Sequence, residues 1–259
     1  MNNRRKSSVR FVVILALLSL TALLFLNFSS SSTSITKNGT LKITFKNTVN
    51  GILLTMDSVE YNNIFGEAFR VSKFKYYISN VSLENKTVQQ KEKESYHLAD
   101  ARDSTSLGFS YPVAMGEYKR LTFLLGVDSL RNCSGAQAGA LDPMNDMFWT
   151  WNSGYVMAKL EGISPAATAV TRRMEYHIGG YRNNNNVVQK IILLASTPII
   201  ITEGNTTAVI IETDISKWWQ TKDRITIAEN PVCTTPGQMA KRIAANYSNM
   251  FSIKNISDH

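Results

Sequence analysis

Strong nitrogen and sulfur donors for a transition metal are scarce in this chain, which has three histidines and two cysteines among 259 residues. His259 sits at the chain end, where backbone commonly frays, so the histidines of interest are His97 and His177. His97 lies in Ser95-Tyr96-His97-Leu98-Ala99-Asp100 and His177 in Glu175-Tyr176-His177-Ile178-Gly179-Gly180. They are 80 residues apart, so no local motif joins them. Each taken alone reads as a hydrogen-bonded structural residue, and only a fold that brings the two together makes them ligands. Two neutral imidazoles at one point suit copper, whose affinity tops the divalent series, and suit zinc nearly as well. Each ring then needs an acceptor to fix its tautomer, and Asp100 and Glu175 are the carboxylates close in sequence. In a strand, successive side chains alternate, so Tyr96 and Tyr176 point away from the histidines beside them.

Cys133 and Cys233 are 100 residues apart. A disulfide is the natural reading in an oxidising compartment. Free buried thiols and thiolate ligands remain the alternatives, and neither cysteine has the close spacing of a zinc motif. Phe148-Trp149-Thr150-Trp151-Asn152-Ser153-Gly154-Tyr155 is the densest aromatic segment. Extended, it puts Trp149 and Trp151 on one face, either as core residues or as a platform beside a ligand. No serine or cysteine has the surroundings of an activated nucleophile, and the carboxylates are dispersed, so no enzyme active site is legible.

The positioning of these residues begins with export. Arg4, Arg5, Lys6 and Arg10 precede the apolar run from Phe11 to Phe28, and a serine-rich spacer follows, so residues 1–34 read as a signal peptide or a membrane anchor. The net charge of +8 includes those four basic residues; elsewhere 24 basic residues face 20 acids without clustering, which argues against nucleic-acid binding. Membrane contact is then expected only through the N-terminal segment. Alternating Leu41, Ile43 and Phe45 mark a half-buried strand, and further strands are read at 52–56, 67–71, 74–83, 96–98, 117–125, 175–178, 187–195 and 207–214. The glycine-bearing stretch 126–146 reads as a long ordered connection, and 236–247 as a helix. The expectation is one mainly β domain over 39–255, a β-sandwich with long ordered loops and a short C-terminal helix.

Several blocks in one order, Gly126-Val127-Asp128, Gly139-Ala140-Leu141-Asp142-Pro143, Met147 to Tyr155, Lys159-Leu160-Glu161-Gly162 and Tyr176-His177-Ile178-Gly179-Gly180, resemble the MbnP-like family of periplasmic copper-binding proteins. The strand from Phe74 to Leu83 is similar to that family's aromatic strand. The resemblance implies an exported, periplasmic or cell-surface β domain that binds copper. It also implies a partner, a dihaem enzyme related to cytochrome c peroxidases, which in one branch oxidises a tryptophan to kynurenine that then supports copper binding. This chain departs from that branch: Gly179-Gly180-Tyr181 stands where Ser/Thr-Gly-Cys follows the histidine, and the four-cysteine pattern is missing. His177 is therefore carried over by motif, His97 is added as a proximity expectation, and Trp149 and Trp151 are the candidates for oxidation. The competing expectation is a periplasmic or cell-surface binding domain without metal.

Overall fold

A computed structural model describes residues 37–93, 95–135, 137–150 and 153–258. Residues 37–259 form one compact unit. The expected export segment, residues 1–34, lies outside the described residues. Among those described, no helix is long and apolar enough to cross a membrane.

Strands dominate. In chain order they are β1 (Asn38–Val49), β2 (Ile52–Leu53), β3 (Tyr61–Asn62), β4 (Ala68–Glu84), β5 (Gln89–Lys91), β6 (Tyr96–Asp100), β7 (Gly108–Ala114) and β8 (Gly116–Leu125). After the short helix α1 (Ser129–Asn132) come β9 (Phe148–Thr150), β10 (Gly154–Ile163), β11 (Arg173–Gly179), β12 (Gln189–Ile201), β13 (Thr206–Asp214) and β14 (Val232–Cys233). Helix α2 (Gln238–Tyr247) and β15 (Phe251–Asp258) close the chain.

Two sheets stack as a sandwich. The first runs β15-β13-β1-β2, with β7 also on β1, and β1 and β13 are parallel. The second follows β12-β8-β4-β10-β11-β14, with β3, β5, β6 and β9 attached. β4 is long enough to serve two neighbours in succession along one edge: β10 pairs with its residues 70–76 and β8 with 78–84. β6 lies along the opposite edge, against 75–79.

The alternation in β1 does what its pattern demands, burying Leu41, Ile43 and Phe45 while Lys42 and Lys46 stay exposed. Phe45 joins the sheets. Its ring centroid lies 5.9 Å from Tyr76, 6.2 Å from Phe123 and 6.2 Å from Phe251, all in edge-on or near edge-on contact. Aromatic edges against faces suit the quadrupole of each ring. Polar links cross the same gap from the Tyr76 hydroxyl, which donates to Asn47 Oδ1 at 3.0 Å and lies 3.2 Å from Thr213 Oγ1. At one end Trp218 packs on Tyr247 of α2 at 4.9 Å, and Trp219 on Phe69 and Tyr176 at 5.4 and 5.6 Å.

The expected disulfide is not formed. Cys133 is an exposed free thiol just after α1, whereas Cys233 is a buried free thiol on β14, opposite Tyr176. Burial pushes the Cys233 thiol up from its ordinary pKa, so it is both shielded and poorly ionised. Iodoacetamide on the folded protein should label Cys133 alone, with both thiols labelled after denaturation, as read by intact mass. Phe45→Ala should cost about 3–5 kcal/mol in a denaturant titration, because it opens a cavity where four aromatic rings meet.

Candidate functional site

The second sheet is covered on both faces. Its inner face meets the first sheet, and part of its outer face is covered by the connection between β8 and β10. That connection is held by backbone oxygens: Ala140 O accepts from the Tyr77 hydroxyl at 3.0 Å and Leu141 O from the Tyr155 hydroxyl at 2.6 Å. Near its start, Asn132 Oδ1 accepts from Tyr155 N at 2.9 Å. These contacts make Tyr77 and Tyr155 fully buried although they point away from the sandwich core.

Beneath the far end of the connection lies a ladder of charge. Register aligns Lys75, Lys159 and His177 across β4, β10 and β11, and beside them Lys73, Glu161 and Glu175. Lys159 is only 3% exposed. Its ammonium pairs with Asp146 Oδ2 at 3.0 Å and donates to the Asp146 carbonyl, while Lys73 reaches the same Oδ2 at 2.8 Å. Burial alone would raise the Asp146 carboxyl, but its hydrogen bonds from Lys73 and Lys159 outweigh that and hold it down to about 2.

His177 stands at the edge of this ladder, half-buried. Its Nε2 lies 2.9 Å from Glu161 Oε1 on the neighbouring strand. Desolvation, helped by the Lys159 charge directly across, holds the imidazole below its usual pKa against the opposing pull of Glu161. The ring is therefore neutral near pH 7. A neutral ring that donates from Nε2 to a carboxylate keeps its lone pair on Nδ1, which is the arrangement in which histidine binds metal.

Trp149 comes to the same face. Gly179 follows His177 by two residues on β11 and shares its side of the sheet. A Cβ at Gly179 would lie 2.7 Å from Trp149 Cζ3, so the indole occupies the space a side chain there would need. Gly180 has φ of +126°, a conformation open to glycine. The Gly179-Gly180 pair thus serves both the indole and the turn. Trp149 remains half-buried; Trp151 and Asn152 lie outside the described residues.

His97 is elsewhere. It pairs with Ile78, which faces the core, whereas His177 pairs with Lys159 on the outer face. The His97 ring stacks on Phe109 at 3.6 Å, with planes 1° apart, and its Nε2 lies 2.9 Å from both oxygens of Glu92. From β6 across β4 and β10 to β11 there are three strand spacings, about 14 Å at roughly 4.8 Å each. Ligands of one ion need nitrogens within about 4 Å, so the two histidines form no common centre. The tautomer-fixing carboxylates also differ from expectation. Glu92 and Glu161 take that place, while Asp100 pairs with Lys75 at 2.9 Å and Glu175 with Arg173 at 3.3 Å.

A family model described as MbnP matches residues 38–235. The chain belongs to the MbnP family. MbnP from Methylosinus trichosporium is similar in structure, at 15% identity and a TM-score of 0.50, over 73% of this chain and 80% of that one. At that identity the likeness speaks for the fold. A search of curated proteins gives no match.

Whether the residues of this MbnP-family chain suit a metal can be asked of the donor set. His177 suits one position, since its free nitrogen and its carboxylate partner are both right. The rest of a closed site is not gathered: among the described residues no group of three or more His, Cys, Asp or Glu side chains converges. Lys159 directly opposite His177 adds a positive charge that opposes a cation.

The charge ladder gives a pH signature. The depressed pKa of Asp146 means its contribution to stability is fully present above the unfolded value near 4 and is lost as pH falls through about 2. Thermal melts between pH 5 and pH 2 should therefore show a shallower loss of stability in Asp146→Asn than in the parent, with the variant already less stable at pH 5.

Proposed function

We propose that this protein is an exported, periplasmic copper-binding protein of the MbnP family, without enzymatic activity of its own, in which His177 is the imidazole that meets the metal. The observation that carries this reading is the Glu161–His177 pair, which leaves a neutral nitrogen donor on the outer face beside Trp149. The family match and the basic, apolar start of the sequence support it. With one imidazole and, among the described residues, no cluster of three or more candidate ligands, solvent or another molecule completes the coordination, and affinity is lower than for a multi-histidine site. Trp149 is the described candidate for oxidation by a dihaem cytochrome c peroxidase-like partner; Trp151 is the second candidate by sequence.

A second reading, a binding domain that takes no metal, is favoured by one feature, the buried Lys159 ammonium beside His177. Titration of the full-length protein with Cu(II), followed by electron paramagnetic resonance, separates the two. Copper binding at this site predicts nitrogen-coordinated uptake that is lost in His177→Ala, is kept in His97→Ala, and weakens by about 10–100-fold in Glu161→Gln. Uptake unchanged in His177→Ala removes the copper site and leaves the metal-free reading. For the partner, intact mass of protein purified from its native host should show oxygen added at Trp149 or Trp151; unmodified tryptophans in cells making the dihaem enzyme would count against that pairing.

A further inference from the structure

At the other end of the β8–β10 connection, away from His177, a cavity of about 340 Å³ opens between β6 and the segment after α1. It is lined by Tyr96, Arg131, Gln137, Ala138, Ala140 and Leu141. Among the described residues that line it, Arg131 is the one cationic side chain. The guanidinium carbon lies 5.3 Å from the centroid of the Tyr96 ring, within cation–π range. Gln137 holds it from the side, accepting from Nη1 at 3.4 Å through Oε1 and donating to the Arg131 carbonyl at 2.9 Å through Nε2. Among the described residues, no carboxylate lies within ion-pair distance of this guanidinium, whereas Arg70, Arg102, Arg120, Arg173, Arg224 and Arg242 each have one.

The acid that shares Tyr96, Asp128, is occupied. Asp128 accepts from the Tyr96 hydroxyl, from Asn80 Nδ2 at 3.1 Å, and from the backbone N–H groups of Leu130 and Arg131 at 3.0 and 3.2 Å. Desolvation works against its ionisation, yet the hydrogen bonds from Tyr96 and Asn80 keep its pKa below the usual value, so it stays ionised and spends its lone pairs on these donors. Arg131 presents five N–H groups in a planar fork, of which Nη1 donates to Gln137 and others lie by the Tyr96 hydroxyl, none meeting a carboxylate among the described residues, beside a wall of two alanines, Leu141 and an aromatic ring. A fork of this kind matches a carboxylate with two parallel hydrogen bonds. The single guanidinium, with Asp128 close by, favours a monoanion over a doubly charged phosphate.

We propose that this pocket binds a small organic monocarboxylate, with Arg131 gripping the carboxylate and the Tyr96 ring, Ala138, Ala140 and Leu141 receiving its apolar body. The site is separate from His177 and does not depend on copper.

The test uses benzoate as probe, with its neutral isostere benzamide and inorganic phosphate beside it, titrated into the full-length protein by calorimetry. Benzoate should bind one-to-one, with benzamide at least about tenfold weaker, the scale of a lost hydrogen bond to a charged group. Arg131→Gln should weaken benzoate by a similar factor, Arg131→Lys by less, and Arg173→Gln and His177→Ala not at all. Benzamide binding as tightly as benzoate, phosphate binding more tightly than benzoate, or undiminished benzoate binding in Arg131→Gln would each overturn the proposal. Far-ultraviolet circular dichroism checks that Arg131→Gln is folded. If it is not, the benzoate-to-benzamide ratio on the parent protein still decides.

Discussion

A lysine ammonium cannot be covered without an anion, and Lys159 is covered. Withdrawing its charge from water costs several kcal/mol unless geometry and hydrogen bonding repay it, and the repayment comes from Asp146, which offers both a carboxylate oxygen and a carbonyl. Asp146 itself sits at φ +61°, a left-handed conformation in which aspartate is one of the few tolerated side chains. The residue that leads the β8–β10 connection into β9 is thus fixed by the charge it must meet. Once Asp146 is anchored, β9 follows two residues later, and Trp149 arrives over Gly179. The position of the indole beside His177 is a consequence of where Lys159 finds its counter-charge.

The same sheet that gathers these residues separates the two histidines. Strand periodicity is two, so whether a side chain faces the core or the outer layer is decided by single-residue register. Ile78 and Lys75 differ by an odd number of positions along β4, and their cross-strand partners inherit that difference: His97 goes inward against Phe109, and the row of Lys75, Lys159 and His177 goes outward. Each imidazole then meets a carboxylate on its own side. Two chemically similar His–Glu pairs therefore have different surroundings, one stacked on the ring system that continues to Phe45 and one on the outer face across from Lys159.

Much of this architecture is legible in the sequence, and the gaps have physical causes. β1, β8, β13 and α2 follow from alternation or helical spacing because one face of each is buried and the other is wetter. β7 escapes such reading, since Pro112 interrupts Gly108–Ala114 and is tolerated only because β7 is an edge strand. β15 is masked by Ser252, Lys254, Asn255 and Ser257, yet it supplies Phe251 to the core. Trp218 and Trp219 carry no periodic signal because they sit in a short 3-10 turn and the residue after it, though both are buried against α2, β4 and β11. The carboxylates that fix the histidines belong to other segments, Glu92 before β6 and Glu161 on β10, so neighbours in sequence were a poor guide to neighbours in space. The fold and the place of His177 could be read from the chain; the company His177 keeps could not.

The cysteines show how a family frame can persist while its details are exchanged. Tyr181 stands where the resemblance calls for a cysteine after the His-Ile-Gly-Gly stretch, and its hydroxyl lies 3.7 Å from Cys133 Sγ. The Tyr181 ring is capped in turn by Arg182, 4.9 Å from its centroid. Cys133 and Cys233 are both free thiols, and Cys233 lies near Tyr247 of α2. With both cysteines free, the connection is held on the sheet by Asp146–Lys159, Asn132 and the Tyr77 and Tyr155 hydroxyls. Function in such a frame resides in side chains mounted on a shared scaffold, and in this chain the mounted set is one imidazole, one indole and a guarded lysine. That set, more than the fold, is what a ligand at the His177 end of the outer face must satisfy.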